Sequence, residues 1–173
     1  PEHEDGESRR DRHQLKAEAR EHADTDHVGD GDGRGCRGRD RAFLSVSADG
    51  RWLYYDSDRT GRSELYRIPA TGGEPTQLTD APGGNYLPAP SPDGKEILFQ
   101  SQRNGTRDIF LMPAEGGAAV PVRSGPGSDN IPGWFPDGRR FAFMYTGGKD
   151  LTDGMYSMAR TGSGWSEPRR IAD

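Results

Sequence analysis

The sequence predicts an all-β fold, three four-stranded antiparallel β-propeller blades that form an incomplete ring, preceded by a disordered N-terminal segment. Three observations predict it: a 44-residue internal repeat, apolar triplets that do not alternate with polar residues, and an abrupt change of composition near residue 41.

The repeat is marked by Ser47-Ala48-Asp49-Gly50, Ser91-Pro92-Asp93-Gly94 and Phe135-Pro136-Asp137-Gly138, spaced 44 residues apart. An apolar triplet follows each: Leu53-Tyr54-Tyr55, Ile97-Leu98-Phe99 and Phe141-Ala142-Phe143. A Gly-bearing turn comes next, as in Arg103-Asn104-Gly105, where Asn-Gly between apolar runs signals a hairpin. A second apolar strand, a second Gly turn and a last strand close each unit. Continuous apolar triplets imply strands covered on both faces, as in a blade stacked between neighbours. Expected blades span about 43–86, 87–130 and 131–173, within a folded region 41–173.

Asp49, Gly50, Asp93, Gly94, Asp137 and Gly138 occupy the same turn position in each unit. Asp can bond its own backbone there and Gly supplies the positive φ, so they are read as structural turn residues and not as a metal or acid–base cluster. Repeat three departs from register. Its hairpin loop 145–154 carries two extra residues, and three more enter before the last strand near Trp165.

Residues 1–40 hold twenty charged side chains, all four His and the single Cys, and no aromatic residue. Such a segment buries too little apolar surface to offset its ordering entropy, and it is expected to be disordered. Its Asp24, Asp26, Asp30 and Asp32 fail the EF-hand spacing, because Val28 and Gly35 stand where ligands are needed. No signal peptide and no membrane span is read in the chain. The near-balanced charge of the remainder argues against a nucleic-acid footprint. Residues 41–173 contain neither His nor Cys, so they cannot assemble a Ser-His-Asp or Cys-His pair, and there is no G-x-S-x-G elbow. No catalytic residue, metal site or cofactor is expected.

The segments Ser91-Pro92-Asp93-Gly94-Lys95, Ser101-Gln102-Arg103-Asn104-Gly105 and Asp108-Ile109-Phe110-Leu111-Met112 resemble the WD-type propeller repeat of TolB and its relatives. Pro132-Gly133-Trp134-Phe135-Pro136-Asp137-Gly138 is similar, with Phe in place of the usual Ser. The resemblance covers residues 43–173. It implies six or seven blades where three are visible, and a periplasmic or extracytoplasmic setting. It points to a non-enzymatic scaffold that binds a protein partner or small ligand at a propeller face. The alternative is the gating or substrate-selecting propeller of a prolyl-oligopeptidase-like serine peptidase whose catalytic domain lies elsewhere.

Function in a repeat protein concentrates where the repeat breaks. The expected binding surface therefore includes Lys149, Asp150 and Asp153 of the extended loop and Trp165 of the second insertion. In propellers of this type that loop shares a face with the connections between blades, which adds Arg59, Arg103, Asn85, Tyr86, Asp129 and Asn130. Three blades leave two apolar faces open. The chain is accordingly read as a piece of a longer protein, with self-association through open blade edges, or an arc capped by another molecule, as the other arrangements.

Overall fold

The computed structural model describes residues 43–162 and 164–172; the segment 1–40 lies outside them. Among the described residues there are three antiparallel sheets and no helix. The first sheet runs β1 (Leu44–Val46), β2 (Trp52–Ser57), β3 (Glu64–Pro69), β4 (Thr76–Gln77) in chain order. The second runs β5 (Asn85–Pro90), β6 (Glu96–Ser101), β7 (Asp108–Pro113), β8 (Val120–Arg123). The third contains β9 (Ser128–Trp134), β10 (Arg140–Thr146) and β11 (Gly154–Thr161). Its fourth place is shared by β12 (Gly164–Trp165), paired with the end of β11, and β13 (Arg169–Ala172), paired with its start. The second insertion thus splits the last strand. The second and third sheets begin two and three residues before the expected boundaries at 87 and 131, because Asn85, Tyr86 and Ser128–Asn130 pair as strand.

β1, β5 and β9 approach one another in series, so the first strand of each sheet lies beside that of the next. The apolar triplets explain the stacking. Successive strand residues point to opposite faces, so Ile97 and Phe99 meet one neighbour while Leu98 meets the other. At the first junction Tyr54 and Leu65 pack with Ile97, Phe99, Phe110 and Met112. At the second, Leu98, Ile109 and Leu111 pack with Phe141, Phe143, Tyr156 and Met158. The middle sheet is therefore covered on both faces, as its sequence predicts. The third sheet differs: Met144 and Met155, cross-strand partners on its far face, remain about 40% exposed. Ala142 and Ser157 stand on that face where the middle sheet has Leu98 and Leu111.

The turns obey the chemistry of their residues. Asp49 Oδ1 accepts from Ser47 Oγ at 2.6 Å and from the Arg51 amide at 3.0 Å. Asp93 repeats this with Ser91 Oγ and the Lys95 amide. In repeat three Phe135 replaces the Ser, and Asp137 instead accepts from the amides of Arg139 and Arg140 and from Arg140 Nε at 2.8 Å. These donors hold all three carboxyls below the usual range. Gly50, Gly94 and Gly138 each adopt φ near 65–70°, the conformation that ends the turn.

β5 and β9 also share a bulge. Leu87 (φ 57°) and Ile131 (φ 52°) lie in the left-handed region at corresponding register shifts, an uncommon conformation for large side chains. The Leu87 amide donates to the buried carboxyl of Asp56 at 3.4 Å, and burial raises the pKa of that carboxyl.

Candidate functional site

Each junction ends in a buried polar cluster built from residues 44 apart. At the first, Glu64 opens β3 with a side chain shut off from solvent. Its carboxylate accepts from Thr79 Oγ1 at 2.6 Å, Asn85 Nδ2 at 2.7 Å, Arg62 Nε at 2.9 Å and the Ala81 amide at 3.2 Å. Asn85 Oδ1 in turn accepts from Arg103 Nη2 at 3.1 Å. That guanidinium is also bonded through Nε to Ser101 Oγ and lies 4.2 Å from the centre of the Phe110 ring. Burial lowers the Arg103 pKa. Every member has a partner, which is the condition under which a buried polar network stabilises.

One repeat later Thr79 becomes Arg123, Asn85 becomes Asp129, Glu64 becomes Asp108, Ser101 becomes Tyr145 and Arg103 becomes Gly147. Tyr145 is fully buried, edge-on to Tyr156, and a methyl group on Gly127 or Gly148 would collide with its ring or hydroxyl. Its hydroxyl donates to Asp150 Oδ1, which pulls the extended loop inward. Burial and this carboxylate raise the Tyr145 pKa; the same hydrogen bond, with Arg123, lowers that of Asp150. Arg123 donates through Nη2 to Asp150 Oδ2 and through Nη1 to the Ser124 carbonyl. Its Nε stops 3.6 Å from Asp129 Oδ1, too far for a hydrogen bond. Asp129 is 1% exposed, and neither carboxyl oxygen has a hydrogen-bond partner. Burial first, then the charges of Asp108 and Asp150, push its pKa up to about 7 against the opposing pull of Arg123. Asp108 is held by Asn104 Nδ2 and Thr106 Oγ1.

Outside this cluster a groove of about 560 Å³ opens between β8 and the two insertions of repeat three. Val122, Leu151, Met158 and Trp165 provide apolar wall, Arg123 and Asp150 form one polar end, and Glu167 lies on its rim. Trp165 rests edge-on against Phe141 at 4.9 Å and beside Trp134 at 6.0 Å, with the Arg160 guanidinium 4.7 Å from its ring centre. Trp134 Nε1 donates to the Ala89 carbonyl of the neighbouring sheet at 3.0 Å.

The expected binding residues divide accordingly. Asn85 and Asp129 are buried in the junctions instead of presented on a face, because each lies at the start of a strand, first in β5 and second in β9, and is enclosed between sheets. Arg103 joins Asn85, and Asp150 joins Asp129. Trp165 is half-buried instead of exposed, since β12 pairing folds it onto the aromatic core. Asp153 Oδ1 accepts from the Gly147 amide and closes its own loop. Arg59 lies over Tyr55 and Tyr66, Tyr86 is partly buried in β5, and Arg107 Nη1 donates to Asn130 Oδ1. Lys149 is exposed. Sequence reasoning missed Glu64, Arg123 and Tyr145; superposing the sequence on itself at 44 residues exposes all three as places where a polar repeat position changes charge or size. Among the described residues no group of three His, Cys, Asp or Glu could hold a metal ion, and no helix is long and apolar enough to cross a membrane.

No family model matches the chain. An uncharacterized protein from Agrobacterium fabrum is 41% identical over 46 residues, which are 27% of this chain and 16% of that protein. Among solved structures, a protein assigned as TolB from Agrobacterium tumefaciens is similar at TM-score 0.63 and 25% identity, over 72% of this chain and 48% of that one. TolB from Acinetobacter baumannii is similar at TM-score 0.65 and 26% identity, over 74% and 31%. The β-propeller domain of the Trilobed protease from Pyrococcus furiosus, described as having an open velcro topology, reaches TM-score 0.54 at 13% identity over 76% and 43%, a likeness of fold alone. The chain thus spans about half or less of the length of each of these proteins.

Proposed function

We propose that the chain, three blades of a TolB-like β-propeller type of fold among its described residues, is a non-enzymatic binding scaffold, one part of a larger propeller, that holds a protein segment or small ligand in the groove between its second and third blades. The observation that carries this is the convergence of both insertions of repeat three on that groove, with Asp150 and Leu151 from one and Trp165 from the other. Concave sites that set apolar wall beside a few fixed polar groups are where ligands bind, and this groove combines Leu151 and Trp165 with Arg123, Ser124 and Asp150. The absence of His and Cys from residues 41–173 supports a role without nucleophilic catalysis by these blades. A gating propeller of a serine peptidase would use the same architecture; it requires adjoining sequence that encodes a G-x-S-x-G hydrolase domain.

Panning a phage-displayed random-peptide library against the chain tests the groove. Selected peptides are expected to shift the Trp165 indole NMR signal and to lose about tenfold in affinity with Leu151→Lys. Peptides that bind without moving Trp165 and ignore Leu151→Lys would overturn the assignment. Asp150→Lys is unsuitable here, because Asp150 anchors Tyr145 and Arg123.

A further inference from the structure

We propose that the polar end of this groove recognises a peptide segment bearing arginine or lysine, whose cation takes over Asp150 from Arg123. The inference rests on the groove being a binding site and specifies the chemistry of what binds.

Charge and geometry both point to a cation. The charges of Asp108 and Asp150 both act on Asp129 across the second junction, and the Arg123 guanidinium lies against Asp129 and Asp150. Arg123 is shared between two carboxylates and satisfies one. With Nη2 on Asp150 and Nη1 on the Ser124 carbonyl, its own Nε makes no hydrogen bond, and neither does either oxygen of Asp129, which it faces across 3.6 Å. Buried polar atoms without a hydrogen bond are uncommon and call for an explanation, and here three of them face one another beside the groove. At the first junction the corresponding groups are complete, with Asn85 between Glu64 and Arg103.

Asp150 is about one-third exposed at the groove, so a ligand cation can reach it from solvent. Once it does, the Arg123 guanidinium is free to close its 3.6 Å gap to Asp129. Binding therefore repairs the buried pair as well as making its own ion pair, and hydrogen bonds to charged groups are among the stronger ones. Leu151, Met158 and Trp165 next to this end suit an apolar residue beside the cation.

The probes are the tripeptide acetyl-Leu-Arg-Leu-amide and its citrulline counterpart, which keeps shape and loses charge. Titration of the 173-residue chain at pH 8, followed by calorimetry and the Trp165 indole signal, is expected to show the arginine peptide binding about tenfold more tightly. Asp129→Asn, which places at this junction the residue that Asn85 supplies at the first, should cut that advantage at least about threefold while the circular dichroism stays unchanged. In the unaltered chain the advantage should also shrink from pH 8 to pH 6. Protonation of Asp129 leaves Arg123 nothing to gain from its release, with Arg123, Arg107, Asp108, Asp150 and Tyr145 as the other ionisable groups around it. Equal affinity for the two peptides overturns the proposal and leaves the groove standing. So does a preference indifferent both to pH and to Asp129→Asn. Absence of binding by both, with Trp165 unmoved, overturns the groove reading as well.

Discussion

At the first junction the buried carboxylate of Glu64 accepts four hydrogen bonds, from Arg62, Thr79, Ala81 and Asn85, whereas at the second the equally buried Asp129 accepts none. Both clusters come from the same repeat positions and both cap a well-packed aromatic core. They diverge because Tyr145 replaces a serine. Its ring stands edge-on to Tyr156, whereas one repeat earlier the Arg103 guanidinium lies over Phe110, and Gly147 supplies no guanidinium. Arg123 then approaches from the preceding sheet but is drawn to Asp150. One junction is a closed structural network; the other retains a buried carboxylate with a long ion pair to Arg123 and no hydrogen bond.

The most disruptive way to test this contrast is Glu64→Ala. It leaves Thr79, Asn85 and the Arg62 guanidinium without their common acceptor, and a loss of about 3–5 kcal/mol in urea unfolding is expected. A loss below about 1 kcal/mol would mean that the first network is ornamental.

Asp129→Asn should act in the opposite direction. The folded-state pKa of about 7 lies above the unfolded value near 3.9, so the native state binds the proton more tightly between those limits. Stability therefore falls as pH rises from about 4 through about 7, and Asn, which cannot ionise, removes that fall. At pH 8 the variant should be more stable by about 2–4 kcal/mol, shrinking toward zero at pH 4. A variant whose stability parallels the original chain across pH 4–8 would show that Asp129 is compensated in solution.

The smallest expected effect concerns a bond that the second junction has and the first lacks. Trp134 Nε1 donates across sheets to Ala89, whereas its repeat equivalent is Pro90, which has no side-chain donor. Trp134→Phe should cost about 1 kcal/mol, measured by the same unfolding, and no change would assign the link to solvent.

Much of the fold was legible from particular residues. The Asp-Gly turns, Asn104-Gly105 and the uninterrupted triplets imply hairpins stacked between neighbours, and the Asp49, Asp93 and Asp137 hydrogen bonds are those their turn position requires. The insertions of repeat three were equally visible, and they line the groove. The cluster behind it was legible only in part. Asp129 and Asn85 read as surface residues because polar side chains at strand starts are usually exposed, and the pairing that buries them is non-local. The left-handed Leu87 and Ile131 left no local signal at all, since neither residue type favours that conformation.

The sequence by itself determined the blade architecture, the period and the position of the breaks, because turn chemistry and strand alternation act over a few neighbouring residues. Only the tertiary structure decided that Arg123 would be divided between Asp129 and Asp150, and that Tyr145 would stand edge-on to Tyr156 where Arg103 lies over Phe110 one repeat earlier. Electrostatic balance in a buried cluster depends on distances between side chains from different sheets, and packing sets those distances.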